Sequence, residues 1–159
     1  MTGFFQGFDP VFDGESLLLI LGSFPSVKSR KEGFYYGNPQ NRFWKTVCGY
    51  FSESVPATVA EKKAFLIRRH IALWDVVTAC EIEGSQDSSI RNEEVADVSG
   101  LLAKTKIRRI FCNGGKSFEL LEREFPELLT ITQKLPSTSP ANPRFMKEAW
   151  HRALDEVFL

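Results

Sequence analysis

Ser16-Leu17-Leu18-Leu19-Ile20-Leu21 is a short, unbroken apolar run that ends at Gly22-Ser23. A run of this length without polar alternation is typical of a β-strand that is buried on both faces. Three later segments have the same character and end in polar sequence or in sequence with Gly or Pro: residues 71–77, 107–112, and 128–131 continuing to 135. The sequence therefore predicts four buried strands.

Segments with the apolar spacing of helices lie between and after these strands. The helices before the last one are predicted near Phe43, Thr58, Val95 and Phe118. The last helix is predicted with Asn142 as its N-cap and Pro143 at its first helical position. Because strands that alternate with helices imply crossover connections, we expect an α/β fold with a largely parallel sheet covered on both faces.

The composition is that of a single globular domain over residues 1–159, with 43% hydrophobic and 25% charged residues. Twenty basic residues balance twenty acidic ones, which excludes a strongly basic surface. Any role on nucleic acid must therefore rest on a local patch. No apolar run approaches the about 20 residues that a membrane helix needs, so we expect a soluble, cytoplasmic protein that does not bind membranes.

The cysteines and histidines exclude several kinds of site. Cys48, Cys80 and Cys112 are widely spaced, with no Cys-x-x-Cys pair, so they are predicted to be free thiols in a reducing compartment. His70 and His151 lie far apart in the sequence, which argues against a zinc site built from these residues. We therefore predict no metal.

In open parallel sheets, ligands bind beyond the carboxyl ends of the strands. The first loop at this edge, residues 22–31, combines small and hydroxyl residues with the cations Lys28, Arg30 and Lys31. Such a loop lets a phosphate approach closely. An ordinary strand-to-helix turn explains it equally well.

The second loop, residues 33–44, contains three consecutive aromatics, Phe34-Tyr35-Tyr36, between glycines. Aromatic faces stack on nucleobases with ~1–3 kcal/mol per base. Asn38 and Asn41 supply paired donors and acceptors of the kind that recognise a base edge. In the alternative interpretation the aromatics fasten the loop to the core and Asn41 caps the helix that follows.

Two further loops contain candidate residues. Asp75 interrupts an apolar strand near its carboxyl end, where a carboxylate needs a partner or a function. The acidic residues after Asp75 are predicted to face away from DNA phosphates. The last loop, residues 135–142, places hydroxyls before a predicted helix N-terminus, which together can hold an anion. A turn whose hydroxyls bond the local backbone is the structural alternative.

Gly22-Ser23-Phe24-Pro25-Ser26, residues 33–44 and residues 135–142 together resemble the uracil-DNA glycosylase superfamily, with the hypoxanthine-DNA glycosylases as the nearest branch. The resemblance spans nearly the whole chain. It implies a three-layer α/β/α fold with a central four-stranded parallel sheet, monomeric action and no cofactor. It also implies a partner, which is double- or single-stranded DNA that contains a deaminated base.

The resemblance implies roles for individual residues. Asn41 carries the catalytic load in the hypoxanthine branch, and Asp75 is our candidate for reading a ring N–H or accepting a proton from water. Phe24 and Tyr36 would sandwich the flipped base. The residues expected to contact the base are Ser23, Phe24, Tyr36 and Asn38. Those expected to contact the DNA backbone are Ser26, Lys28, Ser137, Thr138, Ser139, Pro140 and Asn142.

The sequence departs from the superfamily at three positions. Phe24 replaces the catalytic Asn of the mismatch-specific enzymes, Leu135 replaces a common His, and Asn38 replaces the His that is usual in the hypoxanthine branch. Two alternatives therefore stay open: a uracil or G:U-mismatch glycosylase, and a catalytically silent module that binds DNA or nucleotides. A generic flavodoxin-like domain would explain the alternation of elements but not the two motif loops.

Overall fold

Two β-sheets form the framework of residues 2–159, which the computed structural model describes. The strands in chain order are β1 (Thr2–Gln6), β2 (Leu18–Gly22), β3 (Ile71–Asp75), β4 (Val77–Glu83), β5 (Arg91–Val95), β6 (Arg109–Asn113) and β7 (Thr132–Leu135). The central sheet has the order β3-β2-β6-β7 with all neighbours parallel. This confirms the predicted four-stranded parallel sheet. A second, antiparallel sheet with the order β1-β4-β5 was not predicted.

Helices cover both faces of the central sheet. They are α1 (Val27–Glu32), α2 (Phe43–Tyr50), α3 (Val59–Arg68), α4 (Val98–Ala103), α5 (Gly115–Glu124) and α6 (Lys147–Phe158). Short 3₁₀ helices lie at Asp87–Ser89 and Pro126–Ile131. Within the described residues, none of these helices combines the length and the apolar character needed to cross a membrane.

Strand β2 lies between two hydrophobic cores because its side chains alternate between the two faces of the sheet. Leu18 and Ile20 pack in the core with α2, α3 and α6. Leu19 and Leu21 pack in the other core, with α4, α5 and the antiparallel sheet. All four leucine and isoleucine side chains are fully buried. Burial of each is worth ~1.5–3 kcal/mol, so this one strand holds the layers together.

Two of the predicted strands, residues 71–77 and 128–135, have different bounds in the structure. Strand β3 stops at Asp75, and the chain continues as β4 because the Ala96 N–H donates to the Val76 carbonyl (2.8 Å) and draws this segment into the antiparallel sheet. Residues 128–131 are not a strand. They belong to the 3₁₀ helix that Pro126 begins, since proline fixes a helical φ and lacks an N–H for a ladder.

Two predicted helix starts are also wrong. The last helix begins at Lys147, because the Asn142 Oδ1 accepts the N–H of Arg144 (3.0 Å) in a local turn instead of capping a helix. Val95 lies in β5, and α4 begins only at Val98, where the Asp97 side chain accepts the N–H of Gly100 (3.0 Å) as its N-cap.

Candidate active site

A pocket of about 290 Å³ opens at the carboxyl end of the central sheet. Its walls come from the ends of β2, β3 and β6, from the loops after β2 and β7, from the aromatic loop before α2, and from the turn at Asp87. All the candidate residues named from the sequence line this pocket except Lys28 and Asn142. The position of the pocket is the one that parallel sheets favour for ligands.

Helix α1 accounts for two of the candidates expected to contact the DNA backbone. Ser26 is its N-cap, and its Oγ accepts the N–H of Ser29 (3.2 Å). Lys28 lies exposed on this helix, outside the pocket, where a phosphate can reach it. Arg30 is less available, because its Nη2 donates to the carbonyl of Gly84 (2.6 Å). The predicted basic patch is therefore smaller than the sequence indicates.

The three consecutive aromatics divide between the core and the pocket. Phe34 and Tyr35 are buried, and the Tyr35 hydroxyl donates to the carbonyl of Asp9 (2.7 Å), so these two fasten the loop. Tyr36 lines the pocket, and one face of its ring stacks on Phe43 with a centroid distance of 4.2 Å. The Tyr36 backbone has a φ of 53°, which is unusual for a non-glycine residue.

The Asn41 carboxamide is fixed by the helix that follows it. Its Oδ1 accepts the N–H of Phe43, the first residue of α2 (2.9 Å). Its Nδ2 makes no hydrogen bond within the described residues, so this group remains available to a ligand in the pocket that Asn41 lines. Asn38 is held in a similar way, since its Oδ1 accepts the N–H of Gln40 (2.9 Å). The N-cap of α2 is Arg42 and not Asn41, so the bond from Asn41 to Phe43 is a local turn before the helix that leaves the Asn41 Nδ2 for the pocket.

Asp75 ends β3 at the pocket and is only 5% exposed. Burial raises the pKa of its carboxyl to about 8, the charge of Asp87 acts in the same direction, and the backbone of Gly22 opposes them. The carboxyl is therefore mostly protonated at neutral pH. A neutral carboxylic acid can still accept a ring N–H through its C=O, and it can also donate through its O–H.

This pKa makes the stability of the protein depend on pH. An acid whose folded pKa lies above its unfolded value stabilises the fold fully below the unfolded pKa, and this contribution is lost as the pH rises through the folded pKa. For Asp75 the window runs from its ordinary value of 3.8 to about 8. We expect Asp75→Asn, which cannot ionise, to gain on the order of a few kcal/mol relative to wild type between pH 4 and 9. Urea unfolding of both proteins across this range is the measurement, and a stability difference that does not change with pH would contradict the assignment.

The loop after β2 is hydrogen-bonded to Asp87, a residue that the sequence predicted to face away from the site. The Ser23 hydroxyl donates to Asp87 Oδ1 (2.6 Å), and both residues line the pocket. The prediction that the acids after Asp75 face away from the site is thus wrong for Asp87, because the β4–β5 connection folds back over the opening. Phe24, from the same loop as Ser23, is 8% exposed and reaches the pocket from the core.

Asn113, at the end of β6, holds the hydroxyl-rich loop from below and was not identified from the sequence. Its Nδ2 donates to Thr138 Oγ1 (2.9 Å), and its Oδ1 accepts the N–H of Thr138 (2.9 Å). Thr138 is consequently buried, and its hydroxyl is directed into the protein. The position of Asn113 at the carboxyl end of a predicted strand was the available signal.

Arg42 holds the same loop from the side. Its guanidinium donates to the carbonyls of Ser139 and Asn142 (2.8 Å to Asn142), and its backbone N–H donates to the carbonyl of Thr138 (3.1 Å). Asn142 itself donates through Nδ2 to the carbonyl of Ser137 (2.9 Å). Arg42 and Asn142 thus shape the loop. The helix N-terminus expected beside this loop is absent, since α6 starts only at Lys147.

The pocket is polar but holds no fixed positive charge. None of the described residues that line it is a lysine or an arginine, whereas two carboxyls, Asp75 and Asp87, belong to its wall. Within the described residues no group of three or more His, Cys, Asp or Glu side chains is placed to hold a metal ion. The chemistry that the pocket offers is hydrogen bonding from hydroxyls, amides and a protonated carboxyl next to an aromatic face.

Comparisons with known proteins agree on one family. The model of the uracil DNA glycosylase superfamily matches residues 10–154. A hypoxanthine DNA glycosylase of Methanosarcina acetivorans is 41% identical over 143 residues, which are 89% of this chain and 90% of that protein. One of Methanosarcina barkeri is 35% identical over 144 residues, with the same shares covered. A solution NMR structure from M. acetivorans, assigned to the uracil DNA glycosylases, superposes with a TM-score of 0.85 at 38% identity and covers 98% of this chain and 99% of its own.

Proposed function

Because the chain belongs to the uracil DNA glycosylase superfamily, we propose that it hydrolyses the N-glycosidic bond of deoxyinosine in DNA and releases hypoxanthine. The names of its two Methanosarcina relatives support hypoxanthine as the substrate. The observation that carries the proposal is structural. One pocket combines the Asn41 carboxamide with Tyr36 Oη and Asp75 Oδ2, two buried oxygen atoms that lack partners within the described residues.

In the proposed complex the damaged nucleotide leaves the helix and its base enters the pocket, at a cost of ~a few kcal/mol that is lowest for a mispaired base. The base points its edge at the Tyr36 hydroxyl instead of being sandwiched as the sequence suggested, with Phe24, Ser23 and Asn38 around it. The DNA backbone stays outside, because the pocket has no cations to hold a phosphate. We assign contacts with that backbone to Ser26, Lys28, Ser137, Ser139 and Pro140, and not to Thr138, whose N–H and hydroxyl are bonded to Asn113.

The chemistry needs stabilisation of the leaving base more than a strong nucleophile. When the bond between C1′ and the base nitrogen breaks, its electron pair goes to the base and the sugar becomes oxocarbenium-like. Water then adds to C1′. A donor aimed at the base stabilises the charge as it develops. We assign this role to Asn41, because its Oδ1 accepts the Phe43 N–H and its Nδ2 is left to donate.

The test is an excision assay on duplexes that contain deoxyinosine, deoxyuridine, deoxyxanthosine, ethenoadenine or only undamaged bases. We expect abasic sites, detected as alkali-sensitive strand breaks, mainly from deoxyinosine. Preferential release of uracil would favour the alternative substrate, which the name of the NMR-characterised relative suggests. Salt-sensitive binding of DNA without an abasic product from any duplex would overturn the proposal in favour of a silent binding module.

We also propose that the protein acts as a monomer in the cytoplasm. All three cysteines are free and buried, as suits a reducing compartment.

A further inference from the structure

Two buried oxygen atoms in the pocket have no hydrogen-bond partner within the described residues, namely Tyr36 Oη and Asp75 Oδ2. Buried polar groups in folded proteins are almost always hydrogen-bonded, so each exception needs an explanation. Both residues line the same pocket. A ligand that fills the pocket can supply the missing partner for both atoms at once.

The two groups converge beside one backbone position. A Cβ atom placed on Gly22 would lie 2.4 Å from Asp75 Oδ1 and 3.0 Å from Tyr36 Oη. Gly22 ends β2 and pairs in register with Asp75 of β3, while the ring of Tyr36 is fixed by its stacking on Phe43. Strands and packing therefore hold the Asp75 carboxyl and the Tyr36 hydroxyl beside the same backbone position before any ligand arrives.

Both groups carry a proton at neutral pH. Burial and then the Asp75 carboxyl raise the pKa of Tyr36 above its usual value, and burial raises the pKa of Asp75 to about 8. The other titratable groups that act on this pair are themselves acids, namely Asp87 on both and Cys112 on Tyr36, and the pair in turn raises the pKa of Tyr35. The Asn113 side chain, whose amide is bonded to Thr138, lies close enough to the Tyr36 hydroxyl to lower its pKa, but it only partly opposes the shift. Two O–H donors thus face one small volume.

We propose that Tyr36 and Asp75 form a two-donor oxyanion hole that binds the carbonyl oxygen of the leaving base. This inference rests on the proposed function. As the bond from C1′ to the base nitrogen breaks, the electron pair passes to the base and is delocalised onto this oxygen, where the two O–H groups stabilise it. Water bonds to C1′, and the proton that it loses reaches the base through solvent, so the products are neutral hypoxanthine and an abasic sugar. A protonated buried carboxyl is suited to such donation.

The arrangement also distinguishes hypoxanthine from adenine. Hypoxanthine has a carbonyl oxygen at C6, which accepts hydrogen bonds from both groups. Adenine has an amino group there, which is a donor and would leave both O–H groups unpaired in a buried pocket. Sites that hydrogen-bond one substrate reject an analogue that lacks the matching atom, because their own polar groups then remain unsatisfied. The two O–H groups therefore recognise deaminated adenine at C6, where deamination replaces the amino group by an oxygen atom.

The first experiment is the pH dependence of single-turnover excision from a deoxyinosine duplex. We expect the wild-type rate to fall as the pH rises through about 8, where Asp75 loses its proton. Asp75→Asn keeps a donor and should remove this fall while it retains measurable activity. A wild-type rate that instead increases through the same pH range would overturn the proposal, since it would make Asp75 an acceptor.

The second experiment removes the Tyr36 hydroxyl from the protein and compares two substrates, one with and one without the C6 oxygen. Tyr36→Phe keeps the ring and loses only the hydroxyl, and we expect it to slow excision of hypoxanthine by ~100-fold, the lower end of the cost of losing one oxyanion donor. Excision from a duplex with deoxyribosylpurine, which lacks the C6 oxygen, should change little. Tyr50→Phe is the matched control, because the Tyr50 hydroxyl is exposed and bonds Asp155 away from the pocket. Equal losses on both substrates would overturn the proposal.

Failure of the proposed function is distinguishable from failure of the oxyanion hole. If wild type releases no base from any duplex, the proposed function fails. Whether Tyr36 and Asp75 bind the carbonyl oxygen is then decided by binding. One duplex contains 2′-fluoro-deoxyinosine, and the other contains its purine analogue, which lacks the C6 oxygen. Tighter binding of the inosine duplex that is lost in Tyr36→Phe would support the two-donor site, and equal binding of both duplexes would overturn it.

Discussion

Asn41→Ala is expected to lower the rate of hypoxanthine release from a deoxyinosine duplex by at least ~100-fold, because it removes a donor aimed at the charge on the leaving base. The loss should appear in the rate of the chemical step under single-turnover conditions, with little change in binding of undamaged DNA. The substitution also removes the acceptor for the Phe43 N–H at the start of α2. Part of any effect could therefore come from a destabilised helix, at ~1 kcal/mol.

Asn41→Asp separates the two roles. Aspartate keeps an oxygen that can accept the Phe43 N–H and is a good residue before a helix, so the fold should be as stable as wild type. It replaces the amide donor with an acceptor. We therefore expect Asn41→Asp to be as inactive as Asn41→Ala, with a thermal unfolding midpoint close to that of wild type. Wild-type activity in Asn41→Asp would show that the Nδ2 group is not needed.

Gly22→Ala is expected to have the second large effect. Its added methyl group would lie 2.4 Å from Asp75 Oδ1 and 3.0 Å from Tyr36 Oη, and the buried Asp75 carboxyl has little room to move away. We expect a loss of excision rate of ~100-fold or more, together with ~1–3 kcal/mol of lost stability from overpacking. The rate on deoxyinosine and the free energy of unfolding in urea are the two measurements.

Gly49→Ala provides the control for Gly22→Ala. Gly49 lies in α2, and nothing in the described protein stands within 4 Å of a Cβ placed there. The same chemical change should therefore stabilise the protein by up to ~1 kcal/mol through helix propensity and leave the excision rate unchanged. Near-wild-type activity of Gly22→Ala would show that the pocket tolerates a displaced Asp75, contrary to the geometry described here.

The central sheet could be predicted because its strands carry a local signal. Residues 17–21 are apolar without alternation, and such a run is satisfied only between two covered faces. The antiparallel sheet carries no comparable signal. β5, Arg91–Val95, is almost entirely polar or charged, and its extended conformation follows from pairing with β4 rather than from its own composition. At Asn142-Pro143 a local signal is present but misleading. The pair is typical of a helix start, yet the Asn142 side chain forms a turn by accepting the Arg144 N–H.

The residues of the candidate site also fall into two groups, those that the sequence could indicate and those that only the structure shows. Asn41 could be named as a candidate because its motif resembles that of the hypoxanthine branch, and Asp75 because it interrupts an apolar strand near its carboxyl end. Asp87 could not, because its contact with Ser23 joins residues 64 positions apart and depends on how a hairpin folds back. The proton on Asp75 also follows only from the structure, since burial and not residue type sets its pKa.

The bonds from Arg42 and Asn113 to the loop around Thr138 have a consequence for binding energetics. Ordering a flexible loop on contact with a partner costs ~0.5–1.5 kcal/mol for each immobilised side chain, and this entropy is subtracted from the affinity. Here the ordering takes place during folding, when Arg42 and Asn113 bind the loop carbonyls and the Thr138 hydroxyl. Encounter with DNA then carries little entropic penalty at this loop, so a protein without net charge can still engage its substrate with a few well-placed contacts.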